Sequence, residues 1–212
     1  MVMHDKVIEQ KASTVYKSKL PYHNFGHAIT VMRYAEGLVE KCKREGVPLD
    51  EKVVYYALLF HDAGYHEDHL TLNFETKEAY SAHLCEHALR EHGVDEGIIT
   101  RVKAAILATH VDAQCDSNED KAVRAADLSG LAAGYDVFKL NAVRLMDEHK
   151  LMTGETVSWE DWKQGVKENL ELFLREELKL TSDYYDEDGN SIFHVKTREN
   201  ILKLLSDNSS DL

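Results

Sequence analysis

The stretch VVYYALLFHDAGY, residues 53–65, decides how this chain reads. Val53 to Phe60 is apolar or aromatic without interruption, and Asp50, three residues upstream, suits a helix N-cap. A helix that is apolar nearly all round belongs in a core rather than on a surface. His61 and Asp62 stand at its end, where a charged carboxylate is costly to bury without a partner. A metal ion is one such partner. A His-Asp dipeptide means little alone, but at the end of a core helix, followed by Ala-Gly-Tyr, it is informative.

Working outward, helical periodicity continues on both sides. Upstream, residues 24–45 place Ala28, Val31, Met32, Ala35, Leu38, Val39 and Cys42 on one stripe, with Gly46 and Pro48 as the stop. Downstream, residues 63–74 read as a polar loop that could form a lid. A helix follows from about Glu75 to His92 and stops at Gly93. Asp95 caps another that ends near His110, KAVRAADLSGLAA (121–133) is a third, and residues 135–152 are a fourth. Ser158 opens an S-x-x-D cap for a helix to about Leu178. EDGN at 187–190 is a turn that could join two short strands or form a plain loop; a last helix covers about 196–206, and the tail is expected to fray. The expectation is an all-α, irregular single-domain helical bundle of eight or so helices over 1–212, with a core of about 20–150 and a C-terminal helical extension of about 158–206.

Composition narrows the partners. Twenty-five basic against 38 acidic residues give a net charge of −13, which disfavours nucleic-acid polymers and anionic membranes. A small anionic substrate stays compatible, because a bound metal sets the local field of its site. Cys42, Cys85 and Cys115 form no CxxC pair and suggest reduced thiols; with no signal-like apolar run, a cytoplasmic location is expected. An exposed apolar helix face would allow a dimer, but oligomeric state is not legible.

Histidine is the unusual residue: of twelve, nine fall between His23 and His110, and imidazole is the commonest metal-ligating side chain. His23 and His27 are four apart at a helix start, so they share a face, and either could bind a metal while the other faces a substrate. Asp127 lies among Ala125, Ala126, Leu128 and Leu131; it suits a metal ligand or a salt bridge, Arg124 being one partner.

The order H…HD…D, with YHNFGH (22–27), LLFHDAGY (58–65), Glu-x-x-Ser-Ala (78–82), ILATH (106–110), RAADLSGL (124–131) and TRENI (197–201), resembles the HD-domain superfamily of metal-dependent phosphohydrolases over roughly residues 20–205. The resemblance implies an HD-type helical fold with His27, His61, Asp62 and Asp127 as ligands, and Asp62 as bridging carboxylate if two metals bind. It places His23 where related phosphodiesterases contact phosphate or protonate a leaving group. His83 and His110 match the dinuclear subset, which includes diadenosine tetraphosphate hydrolases; His87, one turn from His83, competes for that role. One or two divalent transition ions (Mn, Fe, Zn, Co or Ni) suit such mixed ligands.

The implied reaction is hydrolysis of a phosphate ester or anhydride by a metal-bound hydroxide, with Asp62 and His23 as catalytic residues. The implied substrate is a nucleotide or another small phosphorylated metabolite. Arg33, Lys103 and Arg124 are candidates to hold outer phosphate oxygens. Two alternatives share the pattern: an HD-type di-iron oxygenase, disfavoured because residues 16–26 lack a Glu, and a non-catalytic nucleotide-binding HD module. A guanosine tetraphosphate hydrolase is disfavoured too, since Ala63-Gly64 stands where that group carries an acidic pair.

Overall fold

The structure is a computed structural model that describes residues 4–16 and 19–211. Its described residues are all-helical, with no strand; Tyr185 and Ser191 form an isolated antiparallel bridge, so the turn between them joins loop rather than strands. No helix among them is long and apolar enough to cross a membrane. Contacts divide the chain into two compact units, Met1–Asp127 and Leu128–Leu212.

The first unit contains α1 (Lys6–Val15), α2 (Phe25–Glu45), α3 (Glu51–Phe60), α4 (Lys77–Glu91), α5 (Glu96–Leu107) and α6 (Asn118–Asp127). Helix α3 is its axis: every residue from Val53 to Phe60 is buried, and α2, α4, α5 and α6 all pack on it. This is the physical meaning of its unbroken apolar run. Asp50 caps it, accepting from the Lys52 N–H at 3.0 Å. Helix α2 ends at Gly46, whose φ of 71° is the left-handed conformation that favours glycine; its N–H caps the carbonyls of Cys42 and Lys43. Cys42, Cys85 and Cys115 are buried and form no disulfide among the described residues.

Helix α1 was not anticipated. Asp5 caps it by accepting from Val7 and Ile8 N–H, Ile8 and Ala12 are fully buried, and it packs on α3 and α4. The Tyr55 hydroxyl of α3 donates to Glu9 at 2.9 Å and accepts from the Asp5 N–H at 3.0 Å.

Helix α6 begins earlier than expected because Ser117 and Asp120 form a reciprocal capping box, at 3.1 Å and 2.9 Å. It also ends earlier, at Asp127, where the chain tightens into a 3-10 turn over Leu128–Ala132.

The second unit contains that turn, α7 (Tyr135–Thr153), α8 (Trp159–Phe173), a 3-10 turn at Ser182–Tyr184 and α9 (Ile192–Ser206). Phe138, Ala142, Leu170, Leu174, Ile201 and Leu204 are its core. Helix α8 stops five residues before the expected Leu178; the freed Leu174 carbonyl accepts from His194 Nε2 at 3.2 Å. Helix α9 starts four residues before the expected 196, capped by Ser191, whose Oγ accepts from the His194 N–H. The tail is anchored at Asp207, whose carboxylate takes Tyr135 at 2.8 Å and Lys139 at 3.0 Å. The buried Lys163 ammonium donates to the carbonyls of Leu205 and Asp207.

Candidate metal centre

Three helix ends build one cluster. His27 sits in the first turn of α2, oriented by Asn24, whose side chain accepts from the His27 N–H at 3.2 Å and donates to the Leu20 carbonyl at 2.9 Å. His61 closes α3, Asp62 follows it, and Asp127 is the last residue of α6. One ligand atom from each of His27, His61, Asp62 and Asp127 lies within 4.8 Å of the other three. His27 Nε2 is 3.3 Å from Asp127 Oδ1 and 3.6 Å from Asp62 Oδ2. His61 Nε2 is 2.9 Å from Asp62 Oδ2 and 3.2 Å from Asp127 Oδ1.

The chemistry of this donor set fits a cation. His61 Nδ1 lies 2.8 Å from the Leu58 carbonyl, which can only accept, so Nδ1 carries the hydrogen. Neutral His61 therefore aims the lone pair of Nε2 at two carboxylate oxygens. A carbonyl partner on the far nitrogen is the usual device for orienting a metal-ligating imidazole. His61 Nε2 and Asp62 Oδ2 are both buried, and neither finds a hydrogen bond of acceptable geometry despite their 2.9 Å separation. Electron-rich atoms converging this way need a positive charge among them.

Without a metal, a proton meets that need. Burial opposes charge on His61, but the carboxylates of Asp62 and Asp127 outweigh it and push the imidazole well above its ordinary value. Burial likewise tends to raise both carboxyls; His61, with His23 for Asp62 and His27 for Asp127, holds them below their ordinary range instead. Tyr16, buried nearby, keeps its phenolic proton: burial first, then the charge of Asp62, raises it well above its usual value.

The segment after Asp62 is fixed by a close approach. Gly64 donates its N–H to Ser81 Oγ of α4 at 2.9 Å. A Cβ on Gly64 would meet Tyr80 Cδ1 at 2.5 Å and the Ser81 nitrogen at 3.1 Å. Tyr65 N–H donates to the Asp62 carbonyl at 3.0 Å, which directs the Tyr65 ring toward the start of α2.

There it stacks on His23, centroids 3.4 Å apart and planes within 15°. On the Tyr65 ring lies also the Lys77 ammonium, 3.6 Å from the centroid. His23 is 6.2 Å from His27, ring to ring, and Tyr22 packs on His27 at 4.6 Å. Sequence reasoning missed Tyr65 and Lys77; Tyr65 lies in the quoted motif, but its stacking depends on the path of the loop.

The other expected residues are not part of the four-atom group. His83 packs against Phe74, Tyr80 and His87 on α4. His110 follows α5, and its Nδ1 accepts from the Asp112 N–H at 3.3 Å. Neither is among the four grouped ligands, and nor is His87. Arg33 is on the exposed side of α2. Lys103 is ion-paired to Glu86 at 2.5 Å, and the buried Arg124 guanidinium donates to the His110 carbonyl. A scan against models of known protein families and a search of curated proteins both return no match, so the functional reading rests on the site itself.

Proposed function

We propose that this chain is an HD-type, metal-dependent phosphohydrolase that cleaves a phosphate ester or anhydride of a small metabolite, a nucleotide being the favoured class. One observation carries the reading: the His61 lone pair, fixed by the Leu58 carbonyl, converges with His27 on the carboxylates of Asp62 and Asp127. Two imidazoles and two carboxylates suit a divalent transition ion better than magnesium alone.

When bound, such an ion supplies Lewis acidity and brings the ionisation of a coordinated water toward neutral pH. The protein's part is separable from this. Asp62 and Asp127 bring two negative charges that offset the ion's own. Asn24 fixes the backbone at His27, and the Leu58 carbonyl holds the His61 imidazole in place, which keeps reorganisation small. His23, stacked on Tyr65 with its ring 6.2 Å from that of His27, is the residue assigned in this reading to give a proton to a leaving oxygen.

The test is turnover. Protein loaded separately with Mn, Fe, Zn, Co or Ni is assayed on a panel of nucleotides and other phosphomonoesters and anhydrides. The expected result is metal-dependent release of phosphate, falling at least about 100-fold in Asp62→Ala and in His61→Ala, the scale of losing an essential electrostatic group. A metal-loaded protein that binds nucleotides but turns none over contradicts the enzyme reading. Substrate-dependent oxygen uptake by the iron form contradicts the hydrolase reading.

A further inference from the structure

Two buried polar atoms of the cluster, His61 Nε2 and Asp62 Oδ2, have no hydrogen-bond partner, and a cation accounts for both. The Tyr16 hydroxyl is buried in the same condition among the described residues, on a side chain only 7% exposed, and a cation does not account for it. Buried polar groups are normally satisfied, so this hydroxyl calls for a partner. Tyr16 follows the last turn of α1 in extended backbone, and α1 packs on α3 and α4. Its ring lies 5.8 Å from that of Phe25, the first residue of α2. The hydroxyl therefore comes to the cluster from a helix that supplies none of the four ligands. Burial acts on it most strongly; next come the Asp62 carboxylate and the Asp62 N–H, which approaches the phenolic oxygen without completing a hydrogen bond. An N–H acts on an oxygen only at close range, so the hydroxyl stands against Asp62. That approach also leaves the phenolic hydrogen itself without an acceptor.

We propose that Tyr16 is a positioning residue of the metal centre, whose hydroxyl donates a hydrogen bond to the Asp62 carboxylate once a cation is bound and so holds that ligand in its binding orientation. Without a cation, Asp62 Oδ2 is drawn to His61 Nε2 at 2.9 Å, and the hydroxyl is left over. A carboxylate offers about four lone-pair positions, so Asp62 can bind a cation and still accept from a neighbour. Ligating carboxylates are commonly held by such a second partner, which keeps them from rotating away from the ion. A phenol that stays protonated suits the role, because it brings a hydrogen and adds no negative charge to a cluster that already holds two carboxylates. The proposal rests on the metal centre and not on which bond is cleaved there.

Tyr16→Phe tests this on the full chain, with Zn affinity read by chelator competition and the melting temperature read on the metal-free protein. Loss of the hydroxyl is expected to weaken Zn by at least about tenfold, the scale of losing an outer hydrogen-bond partner of a ligand. The same variant is expected to melt higher without metal, because it removes a buried hydroxyl that has no partner there. The two readings thus move in opposite senses, which a merely structural tyrosine does not produce. Tyr135→Phe, in the second unit, is the control: it removes a hydroxyl that donates to Asp207 at 2.8 Å, so it should melt lower and bind Zn as the parent does. Parent-like Zn affinity in Tyr16→Phe overturns the positioning role, as does a Tyr16→Phe that fails to fold or melts lower without metal. A phenolate-to-iron charge-transfer band in the ferric form, lost in Tyr16→Phe, makes Tyr16 a ligand and overturns the donor role too. A parent that binds no ion removes the metal centre and the role of Tyr16 with it. Tyr16-dependent Zn binding without turnover of any phosphate ester leaves the role standing and removes only the hydrolase.

Discussion

His61 and Asp62 are neighbours in sequence, and their side chains turn to the same point, with His61 Nε2 2.9 Å from Asp62 Oδ2. In a continuing helix, consecutive side chains diverge by about 100°. Here α3 ends at Phe60, His61 keeps helical backbone angles, and the Leu58 carbonyl holds the imidazole from behind.

Metal binding should stabilise the protein in proportion to its loading. At a free-metal concentration 100 times Kd, the gain is about 2.7 kcal/mol. The melting temperature should rise on metal addition and fall back on chelation. Asp127→Asn should lose most of that rise. A melting temperature indifferent to Mn, Fe, Zn, Co and Ni alike would count against the site.

The size of this metal effect should grow with pH. In the metal-free protein the lowered carboxyls of Asp62 and Asp127 contribute stability above their unfolded pKa of about 3.9, lost as pH falls through the folded values. His61, raised when folded, contributes fully below about 6.5, and this is lost as pH rises through its folded value. The metal-free protein should therefore be most stable between about pH 4 and 6.5 as far as these groups decide. A metal replaces the proton on His61, so the loaded protein escapes the loss at higher pH. Melting curves at pH 5, 7 and 9, with and without chelator, measure this; a metal increment that shrinks with pH is the contrary outcome.

Gly64→Ala should destabilise the first unit by about 1–3 kcal/mol, because the new methyl group meets Tyr80 and the Ser81 backbone. Ser81→Ala should cost a similar amount, about 1–3 kcal/mol, by leaving the buried Gly64 N–H without its acceptor. Denaturant unfolding of both variants gives the values. A neutral Gly64→Ala would mean that α4 can move away from the loop.

Acid should loosen the second unit through His194. This buried imidazole is held below its ordinary value by burial, against the Leu174 carbonyl, which favours the charged form. Its neutral state contributes stability above its unfolded pKa of about 6.5, lost as pH falls toward and through the folded value. Opening free energies from hydrogen exchange in α9 should fall over that range, and His194→Gln should flatten the dependence. The same slope in parent and variant would assign it elsewhere.

Much of the helical framework was legible because it is written in local chemistry. Asp50, Asp95 and Ser158 cap where their residue types suggest, and Gly46 ends α2. What escaped depends on partners distant in sequence. Helix α1 is short and draws its stability from packing on α3 and α4. The end of α8 is set by His194, twenty residues on. The grouping of His27, His61, Asp62 and Asp127 was legible from motif order, and the structure brings those four together. His83 and His110 were equally suggestive in one dimension; His83 packs against Phe74 and His87, the His110 Nδ1 accepts from the Asp112 N–H, and neither is in the four-atom group. Tyr65 lay in the quoted motif, but its stacking on His23 and its contact with Lys77 gave no signal because stacking has no sequence period.

The most direct measurement is metal analysis of the purified, reconstituted chain beside His83→Ala and Asp127→Ala, each checked for folding by circular dichroism. The account predicts one divalent transition ion per chain in the parent and in His83→Ala, and its loss in folded Asp127→Ala. A parent that takes up no such ion, or a folded Asp127→Ala that keeps a full complement, would contradict it.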